Sequence, residues 1–332
     1  MKRFRLIGVS LVILATLTAV VALALTMFVP AVRAEAGGGG TEVFHGQAHP
    51  IRGASGNAVT NSLIYYHGGR VAHSPKVYIS WWGPQWSSGF STGGYTSAQA
   101  QTYSTDFFSG VGSSSWHNID KQYCDGVAVN TTNCGASGNH IGNATFGGAW
   151  NDTTALPNRV RQSAIANAAI RLMNHFGGYN PDAIYLVYTP SGHSMSGFGT
   201  QWCAWHSNVD SGSNHVAYGY IPYMPDAGTS CGRNFVNATN NSYGNGYFDG
   251  FSIVAGHEFV EAETDPNPST SSTVGWTGPG GGSDENADKC AWNQNGGTST
   301  NITLGSHSYA VQPNWSNNST TGTGSHCVTS HT

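Results

Sequence analysis

The pattern of apolar and polar positions divides the chain into recognisable elements. Residues 6–29 form an almost unbroken apolar run near the start. The next apolar block, Lys76–Trp82 (KVYISWW), is β-branched and aromatic and stops at Gly83-Pro84, which predicts a strand. Residues 97–108 have helical spacing, with Tyr103, Phe107 and Phe108 as expected core positions. The clearest helix is expected over 156–176. Pro157 stands near its start, Val160, Ile165, Ala168, Ile170, Leu172 and Met173 follow at helical intervals, and Gly177-Gly178 ends it. Ala183–Tyr188 (AIYLVY) is nearly continuous in apolar character, as a strand buried on both faces is. Residues 215–223 alternate and predict another strand, placed at a sheet edge by Pro222. A further helix is expected from Asp249, as N-cap, to just before Pro266, and a β-like tail around 302–311. Strands and helices interleave. The predicted class is therefore α/β (or α+β), with a single main mixed sheet, flanking helices and disulfide-stabilised loops.

The beginning of the chain changes the domain picture. Lys2, Arg3 and Arg5 precede the apolar run, and the small residues Ala31, Ala34 and Ala36 follow it, which is the layout of a cleavable secretory leader. An uncleaved anchor is the alternative, because the run is long enough to span a bilayer. Residues 1–34 are read as signal peptide, 35–60 as a flexible N-terminal segment containing the tether 37–40, and 61–332 as one domain. Either version exports the domain, so an extracellular location is expected, with membrane contact only through an uncleaved leader.

Composition narrows the partners. Taking Lys2, Arg3, Arg5 and Arg33 from the 13 basic residues leaves nine, against 17 acidic ones. A mildly acidic surface argues against nucleic-acid binding. Charged residues are only 9% of the chain while Gly, Ser, Thr and Asn abound, as in a loop-rich secreted protein. The six cysteines all lie after the leader and suit an oxidising compartment. Neighbour pairing, Cys124–Cys134, Cys203–Cys231 and Cys290–Cys327, closes the most modest loops and is the expected connectivity among fifteen arrangements.

The chemistry concentrates at 256–266, GHEFVEAETDP. His257 and Glu261 are four apart and share a helix face, with Glu258 beside them. Zinc proteases of the HExxH type use this layout with a second histidine where Glu261 stands. His257 and Glu261 are thus candidate ligands, and Glu258 the candidate general base. The third ligand is expected from the downstream cluster 284–290 (DENADKC). Glu285 is preferred, with Asp288 accepting the other ring proton of His257, although the two roles are exchangeable. His206, His193 and His215 are alternative ligands or hydrogen-bond donors. So many carboxylates in one place favour a bound divalent cation. Zinc is expected, with calcium or manganese as oxygen-tolerant alternatives. The tryptophans Trp81, Trp82, Trp86, Trp202 and Trp205 offer a second reading as a glycan-stacking surface.

Several segments together resemble the phosphate-induced protein 1, or EXORDIUM-like, family. They are YHGG at Tyr66–Gly69, KVYISWWG with Trp86, AIYLVYTPSG, WCAWHS at Trp202–Ser207, VAYGYIPY, the GHEFVEAETDP helix and ENADKC, in family order over about residues 60–292. The resemblance implies a secreted protein. Plant members are cell-wall proteins linked to growth, whereas bacterial members similar to this chain retain the His-Glu pair. It therefore implies either a metallopeptidase acting on extracellular protein or peptide, or a non-enzymatic cell-wall protein with a structural cation or none.

Overall fold

The computed structural model describes residues 47–53, 61–238, 241–268 and 274–332. The leader, the tether and any membrane anchor lie outside the described residues, and no described helix is long and apolar enough to cross a membrane.

Six strands build the main sheet: β1 (Gln47–Pro50), β2 (Lys76–Trp82), β3 (Thr145–Asp152), β4 (Ala183–Tyr188), β5 (Trp202–Ser211) and β6 (Asn214–Ile221). Their spatial order is β1-β5-β6-β4-β2-β3. The β6-β4-β2-β3 half is parallel, and the β1-β5-β6 half is antiparallel. The sheet is mixed, as expected. Helices cover both faces: α1 (Ser97–Val111) on one and α2 (Gln162–His175) on the other. The alternation along β2 explains this. Val77, Ile79 and Trp81 face the core shared with α1, while Tyr78 and Trp82 face α2 through Ile165, Ala169 and Leu172.

The third helix, α3, joins the α1 face. A π-helical stretch at Phe251–Ala255 runs directly into an α-helix at Gly256–Thr264. Every residue of both is buried, so α3 is enclosed on all sides. Phe259 packs edge-on against Phe108 and stacks on His117, which locks the helix against α1 and the segment His117–Gln122.

Several expectations need correction. Asp249 does not cap α3: its carboxylate accepts the backbone N–H groups of Gly246, Val236 and Asn237 and so closes the loop upstream. The strand assigned to 215–223 ends at Ile221 and sits between β5 and β4, not at an edge, because Pro222 falls just beyond its last residue. The five tryptophans offered as an alternative glycan surface are all buried: Trp81 and Trp86 pack in the core on the α1 face, and Trp82, Trp202 and Trp205 in the core on the α2 face.

Three disulfides close as expected: Cys124–Cys134, Cys203–Cys231 and Cys290–Cys327. They fit an oxidising compartment. The last spans 37 residues and ties the 284–290 segment to the C-terminal end. Replacing Cys290 and Cys327 together by Ser should cost about 2–5 kcal/mol, read as a lower denaturant midpoint. An unchanged midpoint would show that the segment is held by its other contacts alone.

Candidate metal centre

Two consecutive helix residues and one residue a turn later begin the centre. His257 and Glu261 share a face of α3, and Nε2 of His257 lies 2.9 Å from Oε1 of Glu261. That contact lacks hydrogen-bond alignment: Nε2 has no hydrogen-bond partner among the described residues. The other ring nitrogen, Nδ1, donates to Oε1 of Gln312 at 3.2 Å. The Gln312 amide is oriented by its own Nε2, which donates to the Ala287 carbonyl at 2.8 Å. With a proton on Nδ1, His257 turns Nε2 toward the carboxylates, the atom that would ligate a metal once its own proton is displaced.

Asp288 arrives from the downstream segment. Its backbone N–H donates to Glu261 Oε1 at 2.9 Å, and its Oδ1 lies 3.5 Å from His257 Nε2. The segment is pinned by Asn286, which donates to Asp120 at 2.7 Å, and by the disulfide at Cys290. His257, Glu261 and Asp288 thus offer one nitrogen and two oxygens within reach of one another. Ligands about 2.0–2.2 Å from a tetrahedral zinc stand roughly 3.3–3.6 Å apart, close to the separations seen here.

A second group adjoins the first through the same glutamate. His206, at the centre of β5, has Nδ1 3.3 Å from Glu258 Oε2 and 3.5 Å from Glu261 Oε2. Its Nε2 faces Glu285 Oε1 at 3.9 Å. The two oxygens of Glu261 therefore divide between His257 on one side and His206 on the other. Glu258 also accepts the backbone N–H of His49 through Oε1 at 3.3 Å.

Room for Glu258 against the sheet comes from Gly219, which pairs with His206 across β5 and β6. A Cβ at this position would stand 3.8 Å from the Glu258 Cβ and 2.8 Å from Leu186 Cδ2. A Gly219→Leu chain should therefore lose about 1–3 kcal/mol through overpacking and bind metal more weakly. Wild-type melting and metal content in that variant would remove Gly219 from the account.

The electrostatics belong to a closed site. His49, His206, His257, Glu258, Glu261 and Glu285 are fully buried, and Asp288 is 6% exposed. Burial, then Glu261, Asp265 and Asp288, push the Glu285 carboxyl well above its ordinary range. Burial and Glu261 lift Asp288 to about 7, against the pull of His257. Burial opposes ionisation of Glu261 too, yet His257 and His206 hold it down to about 2. His206, despite burial, is carried up to about 10 by Glu258 and Glu261. Protonation can relieve this crowding of charge, but it does not supply partners. Both oxygens of Glu285, Oε2 of Glu261, Oδ2 of Asp288 and Nε2 of both histidines have no hydrogen-bond partner among the described residues. Buried N and O atoms without hydrogen-bond partners, gathered inside the protein, fit a divalent cation.

The structure exchanges two expected roles. Asp288, not Glu285, stands with His257 and Glu261, because the Glu261 carboxylate captures the Asp288 backbone amide. Glu285 faces His206 instead. The ring proton of His257 goes to Gln312, which no motif signalled. His193 and His215 do not join either group: His193 meets Gln85, and exposed His215 pairs with Asp210 at 2.7 Å. His49 is the other residue that sequence reasoning passed over, a lone histidine in a four-residue strand. No protein-family model, curated protein or solved structure matches the chain.

Proposed function

We propose that the protein is an exported metal-dependent hydrolase, most specifically a peptidase, with its metal on His257, Glu261 and Asp288. The observation that carries this reading is the buried convergence of ligand atoms from these three residues around His257 Nε2, which has no hydrogen-bond partner among the described residues, beside a carboxylate, Glu258, that belongs to the same helix. An imidazole in the set favours zinc or manganese over calcium, which takes oxygen ligands throughout. A divalent ion held there supplies a bound water of lowered pKa and a Lewis acid for a carbonyl.

The chain's own groups would handle the proton. Glu258 is the general base, its Oε2 accepting the Nδ1–H of His206, which orients the carboxylate that takes the proton from water. Burial raises the Glu258 carboxyl while His206 draws it back, which suits a group that must accept and then release a proton. Gln312 holds the His257 tautomer. The ordered motifs that resemble the EXORDIUM-like family support export, and the His-Glu pair is the feature that would set this chain with the bacterial members it resembles.

A non-enzymatic protein with a structural cation is the second reading, and one observation favours it: the site is closed to solvent. Metal analysis of the purified chain, followed by hydrolysis of an unfolded protein substrate with and without a chelator, separates the two. The peptidase reading expects about one zinc or manganese per chain and hydrolysis abolished by chelation. Bound metal with no hydrolysis by the chain, even once the edge of β5 is freed, would leave the structural cation. No metal would remove both.

A further inference from the structure

One short strand lies along the edge beside the site, and its placement is that of a bound peptide. β1 lies antiparallel along the outer edge of β5, with Gln47 opposite His206, Ala48 opposite Trp205 and His49 opposite Ala204. Without β1, the edge carrying His206 would expose unpaired backbone groups beside the metal centre, which is the surface that takes an added strand. The contacts made by His49 are directed at the catalytic groups. Its backbone amide donates to Glu258, its ring packs 4.2 Å from the His257 ring, and its Nε2 meets the same Gln312 oxygen that orients His257. Both of its ring nitrogens face oxygens outside the ligand groups, Pro50 O and Gln312 Oε1, so it covers the centre without joining it.

The far side of the strand is clasped by one residue. Trp292 donates its indole N–H to the Pro50 carbonyl at 2.8 Å and meets the His49 ring edge-on at 4.8 Å. It does so from a left-handed backbone conformation, φ 48°, that a tryptophan rarely adopts. The pairing is irregular between His49 and Pro50, so regular strand addition ends at the metal centre. An edge strand serving only to finish the sheet has no need to engage the general base.

We infer that the β5 edge is the substrate groove, which takes a peptide in extended conformation antiparallel to β5, and that Gln47–Pro50 fills it as a built-in competitor. This rests on the peptidase reading proposed above. The protein as described is then a self-blocked form, and substrate gains access when β1 leaves the edge. The substrate class follows: an unstructured or unfolded stretch of protein, recognised mainly through its main chain.

The probe is a fluorescent peptide copying residues 46–52 (GQAHPIR), added to zinc-loaded full-length chain carrying Glu258→Gln so that the probe is not cut. Ala48→Pro in the same chain weakens β1, because proline removes a backbone donor from the strand. The variant should bind the probe at least about tenfold more tightly, with equal zinc content, since the competing strand is populated less. In chains with Glu258 intact, Ala48→Pro should hydrolyse unfolded casein faster than the parent. Tighter binding with no hydrolysis by any chain keeps the groove and overturns the peptidase reading. Equal hydrolysis by both chains with no gain in probe binding overturns the groove and keeps the peptidase. Hydrogen exchange on the unsubstituted full-length chain serves if the variant does not fold. A saturating excess of probe should speed exchange in 47–50, and unchanged exchange there overturns the inference.

Discussion

Glu258→Gln should lower peptide hydrolysis by about 10²–10⁴-fold while leaving metal content unchanged. The substitution keeps the shape of the side chain and an oxygen to accept the His49 amide, now at 3.3 Å. What it removes is the capacity to take a proton from the attacking water. Because the interaction is needed only as the bond to the carbonyl forms, the loss should appear in kcat more than in KM. The neighbourhood makes the experiment decisive in a second way. Glu258, Glu261 and His206 also converge closely enough to hold a cation themselves. If Glu258→Gln loses metal together with activity, Glu258 is a ligand and the base assignment fails. If activity survives, the residue has neither role.

How much of this was legible from the chain depends on how local each relation is. The pairing of His257 with Glu261 needs only helical periodicity, and it holds because both lie on one turn of α3. The three disulfides were legible because each joins neighbours in sequence. Which downstream carboxylate completes the centre is a different matter. Glu285 and Asp288 are three residues apart, and the choice is made by one backbone hydrogen bond from Asp288 to Glu261, which no periodicity encodes. His206 was visible as a histidine but not as part of a strand. The sequence of β5, WCAWHSNVDS, alternates in neither hydropathy nor size, because its first six residues are buried on both faces and its end is not. β3 was passed over for a physical reason of its own: TFGGAWND carries a glycine pair where its register with β2 shifts.

The tryptophans were legible as core. Trp81, Trp82, Trp86, Trp202 and Trp205 lie in aromatic clusters near glycines, which more often pack an interior than form a glycan surface. They fall on strands and a short helix, Pro84–Ser88, packed between the sheet and the helices on its two faces, so their size fills a core. With the aromatic residues accounted for by packing, the centre between α3, β5 and the 284–290 segment is where the unexplained polar groups collect.

Glu261→Ala should abolish stoichiometric metal binding and destabilise the chain by about 3–5 kcal/mol, as removal of one partner from a buried ion pair does. Among the described residues, no other serves both groups. Oε1 faces His257 and accepts the Asp288 amide, and Oε2 faces His206 at 3.5 Å. Truncation leaves His257 without its helix partner, frees the amide that positions Asp288, and removes one of the two carboxylates that carry the His206 charge. Glu261→Gln divides these effects. The amide oxygen still accepts from Asp288, so the fold should lose less, yet the neutral side chain is a far weaker ligand and metal should still be lost. Metal analysis and denaturant melts of the two variants therefore test separate claims. Full metal content in Glu261→Ala would sink the centre as assigned. Equal destabilisation by both substitutions would show that the charge of Glu261, and not its hold on Asp288, keeps the two groups together.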